Sequence, residues 1–469
     1  MRPDYIDPCP SEAPYLQAKG TTRRVRISCR GSIAIQRLLS IAIFLFVATS
    51  ILTAQDFYGG GVSAEAGRRA GIYSGASNNA ADALTLNPAG LTALTGPTVN
   101  LSVTGIFARG SFANASNSES PMSSNNGFVP FVSIGSPLGK HWAIGFGIAP
   151  DLLSASRWHY ADTPGFAGVD YGPQSEKSQI IGIRAAGGIA YRFSEKLAAG
   201  VSVGADYNSN TLDAPYIFQS HPVLAGLKTL LDLHTTGYGW NSSYGVQAQP
   251  SKRLSLAASF RTPTSITSHG NATGNMGQTF QTLGLAAQPT FGYKAQVSIT
   301  LPPSALLSVG WQASRAVRLS FQTDWIGWRG SFHSLPVTLT DGSNKDINSL
   351  LASNTISDTV PLDWKNQLTF RGALEKNLGE GVVIGAGFLH GNNPVPNSTL
   401  SPLTAAIMQN GLMTGVGWHM GRLHFAASYG FDFTAQQQVV NSALLYDEYS
   451  NSRTRIGLQA FTLSTGFTL

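Results

Sequence analysis

The residues able to do chemistry are few and scattered. Nine histidines lie at His141, His159, His221, His234, His269, His333, His390, His419 and His424, and no two share a face at ligand spacing. The chain has no H-E-x-x-H zinc signature, no G-x-S-x-G nucleophile turn and no phosphate-cradling glycine loop. A serine hydrolase on strands would need a hydroxyl and an imidazole side by side, and Ser428 near His419 or His424 is the nearest approach. No catalytic residue, metal ligand or cofactor is expected, and the chain does not read as an enzyme.

The elements that hold these side chains are dictated by composition. Only 12% of the 469 residues are charged, 51 are glycine, and the mean hydropathy is 0.00. Average soluble domains carry about 25% charged residues. A helical membrane protein would show several apolar runs of about 20 residues. A single run is present, Leu38 to Leu52, after Arg23, Arg24, Arg26, Arg30 and Arg37 and before Thr53-Ala54-Gln55. A basic flank, a short apolar stretch and a small residue at its end describe a secretory leader, residues 1–54, rather than a membrane anchor. Cys9 and Cys29 lie within it, so residues 55–469 contain no cysteine. Removing its seven basic and three acidic residues from 31 and 25 leaves 24 against 22. A nearly neutral chain gives no support for a nucleic-acid partner.

Past Gly96-Pro97 the pattern has period two. From Val317 one face reads Val317, Leu319, Phe321, Thr323, Trp325 and the other Arg318, Ser320, Gln322, Asp324. Leu368, Phe370, Gly372 and Leu374 oppose Gln367, Thr369, Arg371 and Glu375, and Leu423, Phe425, Ala427, Tyr429 and Phe431 oppose His424, Ser428 and Asp432. Apolar outside and polar inside is the habit of a transmembrane barrel. Fourteen strands are predicted, at 98–109, 127–136, 141–150, 177–192, 197–210, 236–249, 254–266, 291–313, 316–329, 363–376, 381–390, 411–419, 422–433 and 455–469. Short connections alternate with long ones, near 110–126, 151–176, 211–235, 267–290, 330–362, 391–410 and 434–454. That parity sorts turns to the periplasmic side and loops to the outside. The fold class is therefore all-β: a 14-stranded antiparallel transmembrane β-barrel over 98–469. Its last strand carries Phe461, Leu463, Phe467 and Leu469 on one face, resembling the signal read by the outer-membrane assembly machinery.

Between leader and barrel, residues 67–91 read GRRAGIYSGASNNAADALTLNPAGL, rich in small residues and closed by the turn signal Asn87-Pro88. This stretch resembles the N-terminal hatch of the FadL/TodX family of outer-membrane channels. The stretch from Leu301 to Gly330, ending in Trp-x-x-Trp, and that from Asp363 to Ser398, ending in a Pro-Val-Pro loop, are similar to the same family. The resemblance implies a hatch over 55–97 inside the lumen and passive, hatch-gated transport of long-chain fatty acids or similar lipophiles. It further implies an outer collecting groove, a tighter site beside the hatch, and lateral exit through a kink in the third strand. Hydrophobic small molecules, outer-membrane lipid and the assembly machinery are the partners so implied, in the outer membrane of a Gram-negative-type bacterium. A closed barrel has no need of a partner subunit, so a monomer is expected.

On these residues, the hatch and wall opening are assigned to Phe57, Tyr58, Asn87, Pro88, Ala149, Pro150, Asp151 and Arg157. Pro150 has no ladder N–H, so it either opens the sheet or ends the strand. The outer groove is assigned to Phe218 and to Leu224, Leu227 and Leu231 of the helically spaced run 223, 224, 227, 230, 231, faced by Phe280 and Leu283. Members that carry fatty acids place a basic residue on the fifth strand; here the inward positions are Ser202, Gly204, Asp206 and Asn208. Arg157, Lys177, Arg184 and Arg261 are the candidate substitutes, while Arg318, Arg371, Asp324 and Glu375 read as lumen salt bridges. The competing reading is a diffusion porin or a structural or adhesive barrel. A porin would line its constriction with charge and lacks the small-residue insert.

Overall fold

The period-two alternation folds into a closed antiparallel wall. The computed structural model describes residues 57–58, 63–73, 79–123 and 125–469, with only the backbone at 57–58 and 125; the leader and Gln55, Asp56, Gly59 and Gly60 lie outside the described residues. The strands are β1 Thr98–Ala113, β2 Asn125–Leu138, β3 Trp142–Ala161, β4 Pro173–Ser194, β5 Leu197–Ile217 and β6 Lys228–Ser251. Then follow β7 (Leu254–Arg261 and Thr264–Asn275), β8 (Thr290–Leu301 and Ser304–Gln312), β9 (Val317–Ile326 and Ser334–Thr340) and β10 (Ile356–Pro361 and Gln367–Gly379). The series ends with β11 Val382–Gly391, β12 Asn410–Met420, β13 Leu423–Val439 and β14 Ser452–Thr468. Each pairs with its sequence neighbour, and β14 returns to β1 from Thr98↔Thr468 to Ala113↔Arg453. Fourteen strands close on themselves, and outside one stretch between β2 and β3 the ladder satisfies the backbone groups that bilayer would otherwise strand.

The lower part of the wall carries its apolar side chains outward. Leu307, Val309 and Trp311 on β8, Phe321 on β9 and Leu374 on β10 are exposed, while Ser308, Gln322 and Glu375 between them are buried. On β6 the outward row begins at Tyr238 and Trp240, both over 70% exposed. From Tyr238 to Ala248 the strand covers about 25 Å, at a rise of ~3.3 Å per residue and a tilt of roughly 40°.

Above that height the alternation inverts. In upper β8, Phe291, Tyr293, Ala295, Val297, Ile299 and Leu301 turn inward and are buried. Outward hydroxyls pair across strands instead, Ser265 with Thr300 and Thr267 with Ser298. The switch falls at Pro263 and Pro302-Pro303, which have no N–H to give the ladder and divide β7 and β8. The upper lumen is thus an apolar core to which nearly every long strand contributes. For this reason the strands stand taller than their bilayer-facing pattern predicts: β5 runs to Ile217 and β6 starts at Lys228.

The helical spacing read at 223–231 does not form a helix. Pro222–Gly226 are turns, and Leu230 and Leu231 alternate on β6. Likewise 330–362 is not one loop: it carries a turn of helix at Trp328–Ser331, the upper parts of β9 and β10, and a helix at Lys345–Leu351.

Candidate functional site: an apolar cavity, a bonded hatch and a break in the wall

Small residues and capping asparagines build the hatch. Ser63 caps the turn of helix Ala64–Gly67, Asn79 caps the helix Ala80–Leu86, and Asn87 caps the 3-10 turn Pro88–Ala93, each side chain accepting a backbone N–H. The caps also fasten the hatch to the lumen. Asn87 Nδ2 donates to Val246 O and Ala258 O, both at 3.0 Å. Ala64 N–H reaches Ser464 on β14, Arg68 pairs with Glu375 on β10 at 2.8 Å, and Tyr73 N–H donates to Gln322 on β9. Close approach requires glycines in the wall: a Cβ on Gly245 would meet Asn87 Oδ1, and one on Gly200 would meet the Pro88 carbonyl. Asn87 and Pro88, expected to touch ligand, instead bolt the hatch to β5, β6 and β7. The sequence marked Asn87-Pro88 as a turn; it could not show the caps or which wall carbonyls Asn87 reaches.

Over the hatch lies a polar layer that crosses the lumen. Arg261 on β7 pairs with Asp151 on β3. Arg184 on β4 donates to Asn241 Oδ1 at 2.8 Å and to the hatch carbonyl of Leu84 at 3.2 Å. Asn241 and Thr264 both donate to Asp206 on β5. Arg184 and Arg261, candidates for a ligand carboxylate, are thus engaged within this layer. Arg371 pairs with Asp324 at 2.6 Å, a lumen salt bridge as read from the sequence, but Glu375 takes the hatch arginines Arg68 and Arg69. The crevice between Leu84, Ala149, Pro150 and Arg184 has a volume of about 10 Å³. That is room for one water at most.

Higher up, the inverted strands enclose a cavity of about 170 Å³. Phe218, Leu231, Leu233, Val297, Leu339 and Leu403 form its greasy surface, and Asn210, Asp358 and Glu448 are polar members. Of the groove expected from the sequence, Phe218 and Leu231 line this cavity; Leu224, Leu227 and Phe280 pack in the apolar core around it, and Leu283 is exposed. The facing wall comes from Leu335, Val337, Leu339, Ile356 and Val360 on β9 and β10. Their own alternation was the available signal.

Outer loops close the top. Lys228 is wholly buried, with Nζ bonded to Asp162 and 3.5 Å from Glu448 Oε1. Burial pushes the Glu448 carboxyl up to about 7; the Lys228 ammonium works against the rise and Asp162 adds to it. Burial raises Asp162 as well, opposed by the same ammonium. Tyr160 donates to Glu176 at 2.6 Å at the edge of this cluster.

The wall breaks beside the cavity. Among the described residues β2 and β3 are laddered from Leu138↔Trp142 to Val132↔Ile148, and the chain just before β2 meets β3 again where Met122 bridges Trp158 and Ser123 N–H donates to Arg157 O. Above Ile148, β3 bulges at Pro150–Leu152 against β4 and continues to Ala161. It does not end at Pro150. In place of β2, Phe57 and Tyr58 pair with Leu153 and Leu152. The bulge inserts one residue and reverses facing: Ala143 and Ala149 point inward below it, Ser156, Trp158 and Tyr160 above it. Arg157 therefore points away from the lumen and is exposed, opposite Lys177 on β4, which corrects its expected place in the site. Val129 and Phe131 of β2 and Ala149 and Leu153 of β3 belong to one apolar cluster with Ala81 of the hatch. Met408, on the loop between β11 and β12, packs against both this cluster and the apolar core of the upper lumen.

The sequence profile of the outer membrane protein transport family (OMPP1/FadL/TodX) matches residues 45–402. No curated protein matches the chain. Among solved structures, a Pseudomonas aeruginosa FadL homologue is 16% identical, with a TM-score of 0.66 over 90% of this chain and 99% of its own. The Pseudomonas putida toluene transporter TodX is 17% identical, with a TM-score of 0.70 over 89% of this chain and 100% of its own. The Ralstonia pickettii toluene transporter TbuX is 14% identical, at 0.67 over 88% and 100%. At these identities the likeness is one of fold. The profile match, spanning most of the chain, carries the assignment: the protein belongs to the FadL/TodX family of outer-membrane channels for hydrophobic compounds.

Proposed function

We propose that this channel carries small hydrophobic compounds from the outer cavity sideways through the break between β2 and β3 into the bilayer. One observation supports it above the rest. An unbroken apolar path, through Met408, links the cavity to the unladdered edges, while the way straight down meets buried ion pairs and a bonded hatch. A hydrophobe gains about 0.8 kcal/mol per buried methylene along the first path. On the second it would strip partners from buried charges. Relatives of the same fold are described as toluene transporters and a monoaromatic hydrocarbon channel, which fits a cavity of this size. Ala149, Pro150 and Asp151 are the proposed rim of the opening, with Phe57 and Tyr58 across it.

Reconstituted protein tests the reading. Vesicles containing it should take up toluene faster than empty vesicles, with saturable binding and no large steady ion conductance. Open-pore conductance without saturable binding would replace this reading with a diffusion porin.

A further inference from the structure

The proposed transport leaves the ligand's head group open, and the cavity wall bears on it. Among the residues lining the cavity are two carboxylates, Asp358 and Glu448, and no lysine, arginine or histidine. Asp358 is saturated: it accepts from Tyr216 OH, from the N–H groups of Gln219, Ser220 and His221, and from Ser220 Oγ. Asn210 is different. Its residue is 6% exposed, and among the described residues its Oδ1 has no hydrogen-bond partner.

The network fixes which way that amide faces. Asn208 Nδ2 donates to Ile181 O at 3.2 Å, so Asn208 Oδ1 must be the atom that accepts from Ser268 Oγ at 2.8 Å. Asn208 Oδ1 also accepts from Asn210 Nδ2 at 2.7 Å, and Asn210 Nδ2 donates again to Thr235 Oγ1. Turning Asn210 over would set two oxygens against each other. Its carbonyl oxygen is therefore held as an unused acceptor just behind the apolar wall, with under 1 Å² of its surface open, so a ligand hydroxyl reaches it only where a lining side chain gives way; a buried acceptor left unpaired costs about 1–3 kcal/mol.

Taking the proposed transport as given, we propose that the outer cavity prefers uncharged small hydrophobes that carry a hydroxyl, phenols being the type, and that Asn210 Oδ1 accepts the hydroxyl hydrogen. Size agrees. An engineered cavity of about 150 Å³ lined by leucine, isoleucine and phenylalanine accepts benzene, and this one is about 170 Å³. A carboxylate ligand would bring a second negative charge against Asp358 with no cation in the lining. A plain hydrocarbon would fill the space and leave the acceptor unpaired.

Calorimetry on the full chain in detergent, with partition into empty micelles subtracted, tests this with four matched probes: toluene, p-cresol, 4-methylanisole and p-toluate. The expected order is p-cresol about tenfold tighter than toluene, 4-methylanisole no tighter than toluene because it cannot donate, and p-toluate without saturable binding. Asn210→Ala should bring p-cresol down to the level of toluene. Equal affinity for p-cresol and 4-methylanisole in the natural chain overturns the proposal without recourse to any variant, as does saturable p-toluate binding. If toluene binds but p-cresol gains nothing, this inference alone falls. If no neutral probe binds, the proposed transport falls with it.

Discussion

Upper and lower lumen are built from the same strands yet use opposite chemistry. Below the switch at Pro302-Pro303, β8 turns Ser308 inward and Leu307 out to lipid; above it, Val297 and Ile299 turn inward and Lys294 and Gln296 outward. The lower lumen is filled by a hatch tied to β2, β4, β6, β7, β8, β9, β10 and β14 by hydrogen bonds. In the upper lumen apolar side chains leave a cavity instead. The contrast is one of filling: bonded polar groups occupy the axis below, and the apolar upper lumen adjoins the break between β2 and β3, as the proposed route requires.

Changes that put the wrong chemistry in either region should break the contrast, the most severe first. Met408→Asp sets a charge on the apolar path, and toluene uptake should fall more than tenfold while cavity binding by calorimetry stays within about twofold. Asp151→Ala breaks the buried ion pair with Arg261, which should cost about 3–5 kcal/mol in urea unfolding from lipid vesicles. Asn87→Ala removes a cap and two bonds to wall carbonyls, about 1–2 kcal/mol by the same measurement.

The smallest effect concerns the outer cap. With its carboxyl pushed up to about 7 from an ordinary 4.5, Glu448 is favoured in its neutral form in the folded cap. Its contribution is complete below about pH 4.5 and lost as pH rises through about 7. Amide protection in 440–451, taken relative to the intrinsic exchange rate at each pH, should therefore fall between about pH 5 and pH 8, and Glu448→Gln should flatten that fall.

Legibility from sequence followed the solvent. Where a strand faces lipid, its apolar residues alternate outward, so each of the fourteen strands was placed near its lower end. Once β5–β8 leave the bilayer, the alternation inverts, and 211–235 and 267–290 read as loops although β5, β6 and β7 continue through them. Arg157 was misplaced because one bulge at Pro150–Leu152 flips every residue after it, and a bulge has no fixed sequence signature. Pro150 marked the place where the ladder fails, but what covers the gap depends on Val129 and Phe131, distant in sequence and close in space. Asn87-Pro88 announced a turn; its hold on Val246 and Ala258 belongs to the tertiary structure.

The central claim is that hydrophobes leave through the wall between β2 and β3. Positions 55–469 contain no cysteine, so paired cysteines can lock either exit separately. Val129→Cys with Leu153→Cys joins the two edges of the break, and Asn79→Cys with Ser133→Cys fastens the hatch to β2 where Asn79 Oδ1 and Ser133 Oγ lie 3.3 Å apart. Toluene uptake by vesicles, oxidised against reduced, is the measurement. Uptake that stops on oxidising the first pair, returns on reduction, and is unaffected by the second is the predicted result; uptake that persists with the wall locked and stops with the hatch locked would contradict the account.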